Sequence, residues 1–379
     1  MLVALPFLFA ASAPHIDLYT MGQGEHLFER FGHAAVCVVD DRHPSTSRCY
    51  NYGTTDFGSP PQKLGWGFLR GNARFWVSVW PLDKMLATYV EADRTIWRQR
   101  LRLSPTEMAA FERRLASDAQ EANRYYVYHH FHDNCSTRIR DILDDVTGGR
   151  LARGAERSLG TTYRQLGVEG LADQPLIRAT SDFVVGRAAD QKLSAYEAMF
   201  LPERLRAEVA RQFHAEPTIV YERRGHPFPR TGSTGRYYTA LLAALVLLPV
   251  VVGEWWKRAR TLLLALTGAA LGLMALALWG LALVSTVPEI RWNEALLLFW
   301  PTDLLLPWLA GRGRTGYSRL RLSSVLVVSG LAALGLLAQP LFAPALIPLA
   351  VFSVLSWPLF GSRAQSVWPA HASSPGGLR

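Results

Sequence analysis

The residues best suited to chemistry are a thiol and an imidazole about a hundred residues apart. Asp133-Asn134-Cys135-Ser136-Thr137 places a cysteine behind two good N-cap residues, so Cys135 falls in the first turn of a helix that runs to Val146 and ends at Gly148-Gly149. The positive end of a helix dipole favours a thiolate there. Backbone N–H groups around Asn134 and Ser136 make these two the expected substrate contacts, because a helix start can hold an oxyanion. A nucleophilic cysteine also needs a base. His33, in Phe31-Gly32-His33-Ala34, opens an apolar strand and would be rigidly mounted. If Cys37 faces Cys49 across a hairpin, His33 faces Gly53, and Asn51 lies diagonally beside it, where it can fix the second ring nitrogen. Such a set does acyl-transfer or thiol-hydrolase chemistry through a thioester on Cys135.

Plainer readings exist for each residue. A lone cysteine is often an inert buried thiol, and a lone histidine is often a satisfied core or surface residue. Three cysteines are too few for a disulfide framework, and Cys37 and Cys49 are equally a disulfide or two small core residues. His129, His130 and His132 beside Cys135 invite a metal, but their spacing matches no zinc pattern well. Tyr125, Tyr126, Tyr128 and Phe131 make an aromatic packed edge the better reading, so neither metal nor cofactor is expected.

The elements that must hold these groups lie in residues 14–236. Ala34–Val39 and Arg48–Tyr52 read as a hairpin, with Arg74–Trp80 and Thr95–Leu103 as further strands. Ser104-Pro105-Thr106-Glu107 is a capping box opening a helix to Asp118, and Asp173–Phe213 reads as helical and amphipathic, with Pro202 starting a last helix. Strands first and helices after indicate an α+β domain.

The rest of the chain has another composition. Tyr237–Gly361 carries 12 charged residues in 125, against nearly a quarter elsewhere. Five spans are expected: Tyr237–Gly253, Thr261–Pro288, Ala295–Ala310, and two within Leu322–Ser362 broken at Gln339-Pro340. Lys257, Arg258, Arg260, Arg312, Arg314, Arg319 and Arg321 fall in loops on one side, which puts the C-terminus and a tail of residues 362–379 in the cytoplasm and residues 14–236 outside. Leu2–Ala10 with Ala11-Ser12-Ala13 makes residues 1–13 an export signal or a retained anchor. The net charge of +9 sits largely in these loops, which excludes a nucleic-acid partner and points to a multi-pass inner-membrane protein.

Phe31-Gly32-His33, Tyr50-Asn51-Tyr52-Gly53, Phe68-Leu69-Arg70-Gly71 and Asp133-Asn134-Cys135-Ser136-Thr137, in that order, resemble the Lnb-type lipoprotein N-acyltransferase family. The similarity covers most of His15–Leu151 and continues more loosely at Met199–Pro202 and Pro288–Glu294. The resemblance implies a papain-like, permuted NlpC/P60-like fold with Cys135 as nucleophile and His33 as base. It also implies a phospholipid acyl donor and the α-amine of a diacylglyceryl lipoprotein as acceptor. Glu289 and Asn293, polar residues between apolar spans, are expected to orient the head group or the amine. Two other functions share the features: a membrane-anchored papain-like cell-wall peptidase or amidase, and a non-catalytic receptor or assembly factor with a structural Cys135.

Overall fold

The computed structural model describes residues 14–357 apart from Phe57 and Ser59, so the expected signal or anchor segment and the cytoplasmic tail lie outside the described residues. Its strands are β1 (His15–Met21), β2 (His33–Val39), β3 (Arg48–Thr54), β4 (Arg74–Pro81), β5 (Ile96–Arg100), β6 (Tyr125–Val127), β7 (Ser158–Thr162), β8 (Lys192–Ser194) and β9 (Thr218–Tyr221). Seven of them form one antiparallel sheet in the order β6-β4-β3-β2-β1-β5-β9, and β7 pairs with β8.

Alternation along each strand buries both faces of the large sheet. Ile16, Leu18, Ala34, Val36, Tyr52 and Val77 point to one face, where they meet Phe111 and Leu115 of α3 (Pro105–Asp118) and Ile139 and Leu143 of α4 (Cys135–Val146). Tyr19, Met21, Ala35, Cys37, Val39 and Cys49 point to the other, against Met85 of α2 (Leu82–Glu91). A shorter helix, α1 (Pro61–Arg70), packs near β4 through Leu64 and Phe68. The box at α3 forms in both directions: Glu107 N–H donates to Ser104 Oγ at 3.3 Å and Ser104 N–H to Glu107 Oε2 at 2.7 Å.

The helical reading of Asp173–Phe213 needs correction. The segment is helix Pro175–Val184, a turn at Arg187–Asp190, β8, helix Ala195–Ala198 and helix Pro202–Phe213. The break has a partner from elsewhere in the chain. Arg164, itself buried, donates to the carbonyls of Val185 and Gly186 at 2.7 and 3.2 Å and pairs with Asp190. A Cβ on Gly186 would also collide with the backbone of Trp292. Strands β1, β6 and β9, and helices α1 and α2, were not expected.

The chain forms two compact units. One runs to Tyr238 and also takes in Ala277–Ala295 and Gly335–Pro340. The other holds Thr239–Leu276, Leu296–Leu334 and the chain from Leu341 onward. Among the described residues two helices are long and apolar enough to cross a membrane, Arg236–Trp255 and Lys257–Val284. The third expected span, Ala295–Ala310, is not a helix of that length. It consists of short turns, Glu294–Leu297 and Pro301–Leu305, because Pro301 can only open a turn and Asp303 is drawn into a buried ion pair. Helix Gly311–Ala333 carries four arginines in its first half, and helix Phe342–Ser356 is apolar but has 15 residues.

The ion pair organises the second unit. Asp303 accepts from Arg321 Nε and Nη2 at 2.8 and 2.9 Å, and both side chains are fully buried. Tyr317 donates to the same carboxylate at 2.7 Å, Arg321 Nη2 also donates to the Leu298 carbonyl, and the Trp300 ring lies 4.4 Å from the guanidinium. Removing one partner strands a buried charge, so Asp303→Ala should lower the stability of the detergent-solubilised protein by about 3–5 kcal/mol. Asp303→Leu combined with Arg321→Leu should recover most of it. Thermal unfolding followed by circular dichroism measures both variants.

Candidate active site

Cys135 is the first residue of α4, and Asn134 is its N-cap. Asn134 Oδ1 accepts from the N–H groups of Ser136 and Thr137 at 2.9 and 3.0 Å. Its Nδ2 donates to the carbonyls of His130 and Phe200 at 2.6 and 3.0 Å. The loop before the helix closes on itself through a bridge between His129 and Asp133, and Arg138 grips Asp133 with two bonds of 2.6 and 2.8 Å. The Asn134 amide is fully committed to building the turn that presents Cys135, and its backbone N–H donates to Thr137 Oγ1 at 2.7 Å.

Cysteines 37 and 49 are directly opposite in the β2–β3 ladder and form a disulfide. The ladder runs through Val36–Tyr50, and β3 then becomes irregular between Asn51 and Thr54, where Gly53 has φ +89°. A side chain at that φ is strained. The same glycine leaves room for the helix start: a Cβ there would lie 3.5 Å from Cys135 Cβ and 3.8 Å from Tyr128. Cys135 packs in one buried cluster with Ala34, the residue after His33, so the thiol lies against the strand that His33 opens. His33 Nε2 is not hydrogen-bonded to the sulfur.

His33 Nε2 and Asn51 Oδ1 are both buried without a hydrogen-bond partner, and Asn51 also donates to the Cys49 carbonyl at 3.5 Å. The His33 ring stacks on Tyr89 of α2 at 5.8 Å. Burial and the nearby Arg94 guanidinium hold the imidazole down at about 3, against a smaller opposing pull from Asn51. Burial raises the Cys135 thiol, opposed by the N–H groups of Ala34 and Ser136, the Ser136 hydroxyl and Arg94. The resting pair is a neutral thiol and a neutral imidazole.

Arg94 was missed from the sequence. It is buried, donates through Nε to the Gly22 carbonyl at 2.8 Å, lies near Glu29, and leaves Nη2 without a partner. Its charge acts on His33, Tyr89 and Cys135 together. A single arginine before a strand carries no pattern that would single it out.

The remaining expected residues divide. Ser136 is buried beside the thiol with an unbonded hydroxyl. Asn293 ties the backbone: Nδ2 donates to the Phe183 carbonyl at 2.7 Å and Oδ1 accepts from Ala295 N–H at 2.9 Å. Glu289 is buried and lies 3.3 Å from His129 Nε2 and 2.9 Å from His132 Nε2. Burial works against its charge, but the two histidines outweigh burial and hold it at about 2. These three residues could gather around a cation. However, His129 Nδ1 already accepts N–H bonds from Phe131 and His132 at 3.2 and 3.3 Å. Its ring proton therefore belongs on Nε2, the atom a metal would need bare. The cluster is better described as a carboxylate bonded to His132 and facing His129, whose Nε2 and the second Glu289 oxygen have no hydrogen-bond partner. His130 is buried edge-on to Phe31, and burial lowers it to about 4.

A cavity of about 460 Å³ opens beside Gly32, lined among others by Gln23, Arg30, Trp97, Pro202 and Phe228.

Two buried histidines make stability depend on pH. Unfolded, they take up protons near 6.5; folded, His33 resists to about 3 and His130 to about 4. The unfolded chain binds more protons in between, so stability should hold above pH 6.5 and fall as pH drops from there toward 4. His33→Asn should flatten that slope in denaturant titrations. Because the thiol is raised, alkylation of Cys135 by iodoacetamide should climb through and beyond pH 8.5, with no step near 6.5.

None of the curated proteins and none of the solved structures matches the chain. Residues 9–167, which include both His33 and Cys135, match the family model described as the Lnb N-terminal periplasmic domain, and this match supports an Lnb-type family.

Proposed function

We propose that the protein is a membrane-bound acyltransferase that moves an acyl chain from a phospholipid, through a thioester on Cys135, to the α-amine of a diacylglyceryl lipoprotein. One observation carries this reading. Cys135 begins a capped helix and packs in one buried cluster with Ala34, the residue after His33. The family supports a lipoprotein-related role at the membrane, and the two apolar helices are consistent with an inner-membrane location. In this reading the N-terminal domain is periplasmic and the C-terminus cytoplasmic.

The reaction begins from the neutral pair. His33 Nε2, which has no hydrogen-bond partner at rest, takes the Cys135 proton as the sulfur attacks the ester carbonyl. The imidazolium that forms beside a thiolate is stabilised by it, which offsets the cost of burial. Ser136 and Thr137 N–H groups are engaged by the Asn134 cap, so the oxyanion is assigned instead to Cys135 N–H and the unpartnered Nη2 of Arg94. Collapse breaks the ester C–O bond, and His33 returns its proton to the leaving lysophospholipid oxygen. The acceptor amine then attacks the thioester, His33 takes the amine proton, and the amide leaves as the thiolate is released and reprotonated. The cavity beside Gly32 offers room for a head group on the His33 side.

Cys135→Ser and His33→Ala should each abolish N-acylation in cells lacking their own enzyme, read by mass spectrometry of lipoprotein N-termini. Triacylated lipoprotein made by Cys135→Ser would refute the mechanism. Arg94→Lys should lower kcat by about 10²-fold or more, since one oxyanion donor contributes on that order. Incubation with phospholipid alone should leave the acyl mass on Cys135; a bare thiol under active conditions would exclude the two-step route.

A further inference from the structure

We propose that α1 and the turn before it, Leu27–Glu29, form a surface that docks on the outer leaflet of the phospholipid bilayer and leads to Cys135; the second half rests on reading Cys135 as the acyl carrier. The first observation is an anchor. Thr286 lies two residues beyond the end of helix Lys257–Val284, where a spanning helix leaves the hydrocarbon. Its N–H and its hydroxyl both donate to the carbonyl of Arg70, the last residue of α1, at 3.1 Å. Gly71, at φ +74°, has no room for a Cβ because Thr286 and Val287 occupy that space. The end of α1 is therefore held at the depth of the membrane–water boundary.

The second observation is the character of the surface. Leu64 and Phe68 turn inward against Ala73, Phe75 and Tyr126. Lys63, Trp66 and Arg70 face out, with Trp66 half exposed. Phe28 stacks on Phe68 at 5.2 Å, which brings the exposed Leu27 and Phe28 alongside. Single exposed apolar side chains need no explanation. An exposed Trp between a Lys and an Arg, beside an exposed Leu-Phe pair and at the mouth of a span, suits the interface, where indole sits among head groups and the cations meet phosphate.

The third observation is continuity with the thiol. Phe68 packs edge-on to Tyr128 at 5.5 Å, and Tyr128 and Cys135 both close on the space above Gly53. Aromatic contacts thus run from the exposed Phe28 to the ring that faces the Cys135 side chain across Gly53. This apolar surface gives a diacyl substrate, whose chains cannot cross water, a way to approach the thiol from the leaflet.

The test uses the full-length chain reconstituted in vesicles of phosphatidylethanolamine and phosphatidylglycerol. A photoreactive benzophenone side chain is placed at position 66, or at position 113 on α3, a helix with no large exposed apolar residue. A phospholipid adduct at 66 and none at 113, read by mass spectrometry, is expected. No adduct at 66, or equal adducts at both positions, overturns the docking surface whatever Cys135 does. Phe28→Ser with Trp66→Ser, checked for folding by its melting curve, should slow acylation of Cys135 from vesicle phospholipid by about tenfold or more. An unchanged rate overturns the route to the thiol. If the wild-type protein is not acylated at all, the transferase reading fails, while the adduct at 66 still decides the docking.

Discussion

The site depends on the room that β3 leaves where its regular pairing stops. β2 pairs with β3 through Val36–Tyr50, and β3 shifts register against β4 between Asn51 and Thr54, where Gly53 has φ +89°. A Cβ on Gly53 would lie 3.5 Å from Cys135 Cβ, so the bare glycine leaves room for the first turn of α4. Cys135 packs there in one buried cluster with Ala34, the residue after His33. The disulfide between Cys37 and Cys49 holds the two strands together where pairing is still regular.

Desolvation dominates the electrostatics around this point. It lowers His33 and His130 and raises Cys135, Tyr89 and Tyr128. Every one of these shifts favours the neutral form. Arg94 is the charged group among them, and it tips Cys135 toward thiolate while opposing protonation of His33. A thiol held in its neutral form reacts slowly with water-borne electrophiles at neutral pH. That suits a nucleophile whose proposed substrate arrives from a bilayer.

Polar groups in the apolar half follow the same rule of burial with compensation. Asp303 and Arg321 meet across the second unit with Tyr317 completing the set. Glu289, within the first unit, is compensated by His129 and His132. Both arrangements join residues distant in sequence. Both explain why short polar segments between apolar runs adopt turns in place of continuous helix.

The local signals were legible from the residues alone. Alternation in Ala34–Val39 and Arg48–Tyr52, the Ser104–Glu107 box, and a cap before Cys135 all act over a few neighbouring residues, so spacing determines them. The change of composition at Tyr237 likewise marks where long apolar helices begin. What spacing could not determine is which side chain meets which across the fold. The Asn134 cap was legible, but that its amide N–H groups are taken by the carbonyls of His130 and Phe200 was not. Asn293 was claimed by Phe183, Glu289 by two histidines from a loop 157 residues earlier, and Arg94 entered the site with no motif at all. Ala295–Ala310 has the hydropathy of a span, yet Asp303 found a buried arginine and the chain folded into turns around it. Hydrogen bonds and ion pairs act at contact distance, and for groups far apart in sequence only the tertiary fold determines which come into contact.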